Sequence, residues 1–355
     1  MKSNKYEIDM CNGSIMDKLV SFALPLMLSG ILQLMFNAVD IIVVGRFSGS
    51  EALAAVGSTT ALINVFTNLF IGISLGANVL AARFFAAGRK EEMSETVHTS
   101  ITLALISGIL MAFVGLVFSK GALELMGTPE DVIGLSTLYM RIYFMGMPFF
   151  MLYNYGAAIL RAVGDTKRPL YFLIIAGVIN AGLNMVLVIV FGLGVAGVGI
   201  ATVFSQMVSC VLVLTCLCRT EGSYKLSFSK LSMKGYYLKQ IFQVGIPAGI
   251  QSTVINFSNA LLQSSVNSFG STAMAGYTAA NNILGFLYVS INSVTQACMS
   301  FTSQNFGVGK YKRMDRVLYD FIGGSSTCFR MRGVFFRSGN ITDLYRGSRR
   351  DPMWC

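Results

Sequence analysis

The sequence predicts an all-α membrane protein, a polytopic helical bundle, on three observations. Of its 355 residues, 54% are hydrophobic and 12% are charged, against about 25% charged in ordinary soluble domains. The mean hydropathy is +0.63. Apolar runs of about 20 residues, long enough to cross a bilayer as a helix, recur along the chain. A soluble fold could not bury this much apolar side chain, because too little polar surface would remain to face water.

Eight apolar runs are predicted as transmembrane helices, and turn residues separate them. Their approximate bounds are 18–44, 52–82, 96–119, 133–160, 170–191, 196–218, 241–266 and 273–303. "GRFSGSEA" closes the first run and "GDTKRP" at 164–169 separates the fourth from the fifth. "GLGVAG" at 192–197 predicts a tight hairpin between the fifth and sixth runs. It is not a dinucleotide fingerprint, because no strand precedes it.

Loop charges predict the orientation. Loops after the even-numbered helices carry 15 Lys and Arg, whereas those after the odd-numbered helices carry only Arg46 and Lys120. This bias places the even loops and the N-terminus in the cytoplasm of a multi-pass protein of the inner (plasma) membrane. It also accounts for the net charge of +10 without nucleic acid, since no basic stripe with interleaved aromatics is present. His98 is the only histidine, which argues against a His-based metal site or catalytic triad, so we expect no enzyme.

An internal duplication indicates a transporter architecture. Pro25 aligns with Pro247 and Asn37 with Asn259 at an offset of 222. "RFFAAGRKEEM" at 83–93 parallels "QNFGVGKYKRM" at 304–314 at an offset of 221. Both copies begin on the same side of the membrane, so they are parallel repeats, and a substrate site is expected near the midplane between them.

The second repeat is expected to be incomplete. Positions 322–355 carry six Arg and two Asp and no 18-residue apolar run. We expect about eight of twelve helices, with an aberrant tail that a frameshift or an assembly error explains; the alternative is a genuine cytoplasmic tail. The predicted domains are 1–17 (cytoplasmic N-terminal segment), 18–220 (N-lobe of six helices), 221–240 (inter-lobe linker), 241–320 (partial C-lobe) and 321–355 (tail).

Polar residues within the apolar runs are the candidate site. An ionisable group at membrane depth costs at least about 2.5 kcal/mol, which marks Asp40 as a functional candidate. Gln33, Asn37 and Asp40 share one helix face. The alternative for Asp40 is a carboxylate near the helix end that reaches water. Asn180 and Asn184 form an i, i+4 pair whose amide oxygens could coordinate a small cation; interhelical hydrogen bonding is the alternative. Further candidates for lining a substrate cavity are Tyr153, Asn154, Thr202, Asn256, Asn259 and Gln263.

Residues 15–320 resemble the MATE (multidrug and toxic compound extrusion) transporters. The resemblance is carried by "FALPLMLSGILQLMFNAVDIIVVGRFSGSEALAAVG", "AAILRAVGDTKRP", "GLGVAGVGIATVFSQ" and "GSTAMAGYTAANN", and it is closest to the bacterial branch related to the DNA-damage-inducible F proteins. It implies a two-lobed, twelve-helix antiporter, expected to be a monomer in the bilayer. Such a protein exports organic cations or drugs against H⁺ or Na⁺ entry and needs no cofactor beyond that ion.

The resemblance also implies roles for individual residues. The acidic residue of the family's first helix falls on Asp40, and its helix-5 motif, Asn followed four later by Asp, falls on Asn180 and Asn184. The second position is Asn here, so Asp40 would be the sole titratable group of an ion site that could take Na⁺. The family's helix-4 Asn falls on Asn154 and its helix-6 Thr on Thr202. Two alternatives remain: a lipid-linked saccharide flippase of the same superfamily, and a truncated fragment that does not transport.

Overall fold

The computed structural model describes residues 6–267 and 271–318, and the regular structure within them is helical, with no strand. Side chains at 50, 58, 61, 256, 257, 259–261, 263–267, 271–283 and 318 are outside the description. The helices are α1 (Ile15–Phe47), α2 (Gly49–Ala86), α3 (Lys90–Leu125), α4 (Glu130–Met145), α5 (Met147–Ala162), α6 (Lys167–Asn184), α7 (Gly194–Arg219), α8 (Gly235–Asn267), α9 (Ser271–Gly307) and α10 (Tyr311–Leu318). A π-helical turn, Met185–Val190, continues α6, and a short 3-10 turn, Phe228–Lys230, precedes α8. The predicted all-α bundle is confirmed.

Within the described residues, five helices are long and apolar enough to cross a membrane: Ile15–Phe47, Glu51–Ala86, Lys90–Leu125, Lys167–Val190 and Gly194–Arg219. On α3, Ile109, Phe113 and Val117 are exposed on one face, which suits contact with lipid. α8 and α9 have 33 and 37 residues, enough for a span, and they pack along α2 and α1.

The run 133–160 is not the single helix that the sequence predicts. It is divided into α4 and α5, with Gly146 between them. Pro148 has no N–H to donate to the preceding turn, so the α-helical ladder is interrupted there. The N–H groups of Phe149 and Phe150 both donate to the carbonyl of Gly146, at 3.1 Å each, and start the second helix.

The helix contacts that join the first six predicted helices to the rest include α2 with α8, α2 with α9 and α1 with α9. Gly72 of α2 meets the backbone of Gly249 in α8, and Gly30 of α1 lies against Val289 of α9. Small residues permit this close approach of helices in a membrane. The predicted duplication relates α1 to α8 and α2 to α9, so the α2–α8 and α1–α9 contacts are equivalent under it, and each of α1 and α8 contains its aligned proline. The domain boundaries remain a prediction.

The segment before α1 is packed into the bundle. Met10 is fully buried; its N–H donates to Gln304 Oε1 at 3.3 Å and its carbonyl accepts from Asn305 Nδ2 at 3.1 Å. Gln304 Nε2 also donates to the carbonyl of Ala162 at the end of α5, at 2.8 Å. The N-terminal segment therefore joins α9 to the first repeat at one end of the molecule. The expected tail, 321–355, lies outside the described residues.

Candidate functional site

The candidate site lies where α1 and α6 approach one another. Gly177 of α6 has no side chain, and the Phe36 ring of α1 occupies the space that a Cβ would need. Gly177, Asn180 and Asn184 share one face of α6, and Asp40 lies one turn after Phe36 on α1. The close approach therefore brings the carboxylate of α1 to the two asparagines of α6.

One amide group links the three predicted residues. Asn184 Nδ2 donates one hydrogen bond to Asp40 Oδ1 and another to Asn180 Oδ1, the latter at 3.2 Å. Both hydrogens of the amide are thus used. Asn184 is fully buried, Asn180 is 5% exposed and Asp40 is half-buried. The carboxylate faces α6, as the functional interpretation of Asp40 requires.

The other atom of the same amide has no described partner. Asn184 Oδ1 is buried and accepts no hydrogen bond from the described residues. A buried acceptor without a donor costs free energy. A proton on Asp40 or a hard cation, which prefers oxygen ligands, would satisfy it. One carboxylate and two amide oxygens are suited to either.

The backbone changes geometry directly after Asn184. The π-helical turn Met185–Val190 follows it, and such turns occur frequently at functional sites. Gly192 and Gly194 then have φ values of +64° and +52°, which glycine adopts without strain. They form the predicted hairpin into α7, so the site lies within two turns of the end of α6.

Two tyrosines that the sequence analysis missed also lie near Asp40. Tyr139 and Tyr143 lie one turn apart on α4, close enough to Asp40 to interact with its charge. Their rings are 6.2 Å apart, and Tyr139 is 7% exposed. The i, i+4 pair of phenols inside an apolar run was the available signal.

The remaining predicted residues are placed differently. Gln33 and Asn37 are exposed on α1. Asn154 Nδ2 donates to the Phe150 carbonyl at 2.8 Å, Thr202 Oγ1 to the Val198 carbonyl at 2.9 Å and the Tyr153 hydroxyl to the Pro169 carbonyl at 3.4 Å. None of these bonds reaches Asp40. The side chains of Asn256, Asn259 and Gln263, on α8, lie outside the described residues. Their role in lining a cavity stays a prediction.

Comparison with known proteins gives consistent matches. The profile of the MatE family matches residues 25–186 and 247–328. The chain is 34% identical over 306 residues to a probable multidrug resistance protein, YoeA, of Bacillus subtilis, covering 84% of this chain and 66% of that protein. It is 24% identical over 307 residues to an FAD transporter of Shewanella oneidensis, covering 84% of this chain and 67% of that one.

A solved structure has the same fold. It is the outward-facing conformation of a multidrug resistance MATE family transporter of the MOP superfamily, with a TM-score of 0.84 at 23% identity, covering 94% of this chain and 74% of that one. The chain thus spans about two thirds of the length of the relatives that it matches.

Proposed function

The chain belongs to the MatE family, a family of transporters and not of enzymes, and on that premise we propose that it acts in cation-coupled multidrug efflux. The substrates are organic cations or other toxic small molecules, exported by alternating access against entry of H⁺ or Na⁺. We place the protein in the inner (plasma) membrane as a monomer with a cytoplasmic N-terminus. The names of its relatives support the substrate class, and the loop charges support the orientation.

The observation that carries the proposal is the hydrogen-bonded chain of Asp40, Asn184 and Asn180. Asp40 is the one carboxylate in the described part of α1 beyond its first turn. A carboxylate placed among apolar helices is costly while it is charged. Binding a proton or a sodium ion removes that cost, so the ion favours a helix arrangement in which Asp40 is enclosed.

Coupling follows if substrate and ion favour different arrangements. In the proposed cycle, the ion that enters from outside neutralises Asp40, and Asn184 and Asn180 supply neutral oxygens beside it. The packing of α1 on α6 then changes and the substrate is released outward. Loss of the ion on the cytoplasmic side restores the charged carboxylate and the starting arrangement.

Substitution of Asp40 tests the proposal. In proteoliposomes with an imposed pH or sodium gradient, we expect Asp40→Asn to reduce efflux of a cationic dye at least about fivefold, because coupling free energies of about 1–3 kcal/mol are lost. Asp131→Asn is the control, because Asp131 is an exposed carboxylate in the first turn of α4. Undiminished gradient-driven efflux by Asp40→Asn would overturn the proposal.

A further inference from the structure

We propose that a second ligand site, for a phosphate-bearing anion, lies at the end of the bundle where α3 begins and α7 ends. A cavity of about 1160 Å³ is present there. Five cationic side chains from three parts of the chain line it: Lys90, Arg168, Arg219, Lys225 and Lys230. None of the residues of the proposed ion site lines this cavity, so the two sites are separate.

His98 holds in place the loop that carries Lys225 and Lys230. The N–H of Ser227 donates to His98 Nε2 at 3.2 Å, and His98 Nδ1 lies 2.7 Å from the Ser94 carbonyl. This pattern requires Nδ1 to carry the proton and Nε2 to accept. His98 is 3% exposed. The buried ring thus fixes the loop that carries Lys225 and Lys230 against α3.

Tyr224 holds the same loop at a second point. Tyr224 is 2% exposed and its hydroxyl donates to Glu7 Oε1 at 2.8 Å. Its ring packs edge-on against Phe85 of α2, with ring centroids 6.1 Å apart. The loop that carries Lys225 and Lys230 is therefore held at two points, Ser227 and Tyr224.

The charge of the cavity is unbalanced. Against the five cations, Glu7 and Glu221 are the carboxylates in the lining. Arg168 pairs with Asp165 at 2.6 Å. Among the described residues, no salt bridge engages the other four, Lys90, Arg219, Lys225 and Lys230. Like charges that converge in one cavity repel each other, and a bound anion relieves the repulsion.

The chemistry of the lining favours phosphate. Lys and Arg are the side chains that proteins use to bind phosphate groups. The cavity also lies at helix ends, where membrane-spanning segments leave the bilayer, and there basic residues attract the headgroups of anionic lipids. The phosphate could therefore belong to an anionic phospholipid or to a soluble phosphate compound, and the experiment separates these sources.

The test is native mass spectrometry of the full chain in detergent, titrated with dioleoylphosphatidylglycerol, dioleoylphosphatidylcholine, glycerol phosphate and inorganic pyrophosphate. We expect tighter binding of phosphatidylglycerol than of phosphatidylcholine if the source is lipid, and binding of the soluble phosphates if it is not. The double variant K225Q/K230Q should bind its preferred anion about 25-fold more weakly, since each lysine near an anionic lipid surface contributes a factor of about five. R219Q, at the end of α7, should weaken it about fivefold.

The matched control is K239Q/K312Q, which removes two exposed lysines outside the cavity and changes the net charge equally. All variants should keep the thermal unfolding midpoint of the parent, because the substituted side chains are exposed. Equal losses in the two double variants would show that overall charge and not this cavity binds the anion. Absence of any preference for the phosphate-bearing anions would equally overturn the proposal.

Discussion

The Phe36 ring of α1 fills the space that a Cβ at Gly177 of α6 would need, one helical turn before Asp40. The contact sets the separation of the two helices at the depth of the candidate site. Asp40 can reach Asn184 only because α6 has no side chain at Gly177. A glycine in a helix interior costs about 1 kcal/mol of stability relative to alanine. The close approach of Phe36 explains why glycine is present at position 177 despite that cost.

We expect Gly177→Ala to lower the free energy of unfolding by about 1–3 kcal/mol, because the added methyl group overpacks the α1–α6 contact. The measurement is thermal unfolding in detergent. Gly182→Ala is the control on the same helix, since a Cβ there meets no atom within 4 Å. It should be neutral or stabilising by up to about 1 kcal/mol. Equal effects of the two substitutions would show that the contact with Phe36 does not limit the helix separation.

Asn184→Ala should impair gradient-driven transport and also destabilise the protein. It removes the donor to Asp40 Oδ1 and Asn180 Oδ1, and a buried acceptor left without its donor costs about 1–3 kcal/mol. The matched control is Asn68→Ala, because the Asn68 amide donates within its own helix, to the Asn64 carbonyl. Dye efflux under pH and sodium gradients is the readout. If Asn184→Ala shows normal gradient-driven efflux, Asn184 is not part of the ion site.

Asn184→Asp should change the number of ions bound at the site. It creates the Asn-x-x-x-Asp pattern that the resemblance implies, and it places a second carboxylate within hydrogen-bond reach of Asp40. Two carboxylates so close do not both stay charged. We therefore expect this variant to take up one more proton or cation per transport cycle, measured as ion flux per exported substrate. An unchanged ratio would contradict the expectation, and Asn68→Asp controls for an added charge elsewhere.

Gln304→Ala should loosen the N-terminal segment. Gln304 accepts from the Met10 N–H and donates to the Ala162 carbonyl, so its loss removes both of these bonds. Met10 is then held to α9 through its carbonyl, by Asn305. A hydrogen bond contributes about 0.5–1.5 kcal/mol, which predicts up to about tenfold faster hydrogen exchange in residues 8–12. Ser303→Ala is the neighbouring control, because the Ser303 hydroxyl donates within α9. If both variants exchange alike, Gln304 does not hold the segment.

Several features of the fold could be predicted because they depend on single segments. The apolar runs mark α1, α2, α3, α6 and α7, which the structure shows as helices long and apolar enough to cross a membrane, and "GLGVAG" marks the hairpin between α6 and α7. The division of 133–160 was missed, because Gly146 and Pro148 are too weak a signal inside a long apolar run. Proline within a helix is otherwise tolerated here, as Pro25 in α1 shows.

The candidate site was predictable by residue type, and the resemblance placed Asp40, Asn180 and Asn184 in one ion site, but the individual hydrogen bonds were not predictable. Asp40 was singled out by the cost of a charge in an apolar run, and Asn180 with Asn184 by their spacing. Tyr139 and Tyr143 were missed because phenols are ordinary in apolar runs. The sequence analysis noted His98 only as the one histidine. Its structural role could not be predicted, because the ring accepts a hydrogen bond from the Ser227 N–H, 129 residues away in the sequence.

By itself, the sequence determined that this chain enters a bilayer, approximately where most of its long helices lie, and which acid within an apolar run must be explained. These properties follow from the free energy of moving each segment from water into lipid, which depends on that segment alone. The tertiary structure decided which helices touch: α1 with α6 at Gly177, and α2 with α8 at Gly72 and Gly249. Inside lipid, helices gain little by hiding apolar surface from one another, so shape, small residues and hydrogen bonds select the partners. Such complementarity belongs to pairs of surfaces and cannot be read from either helix separately.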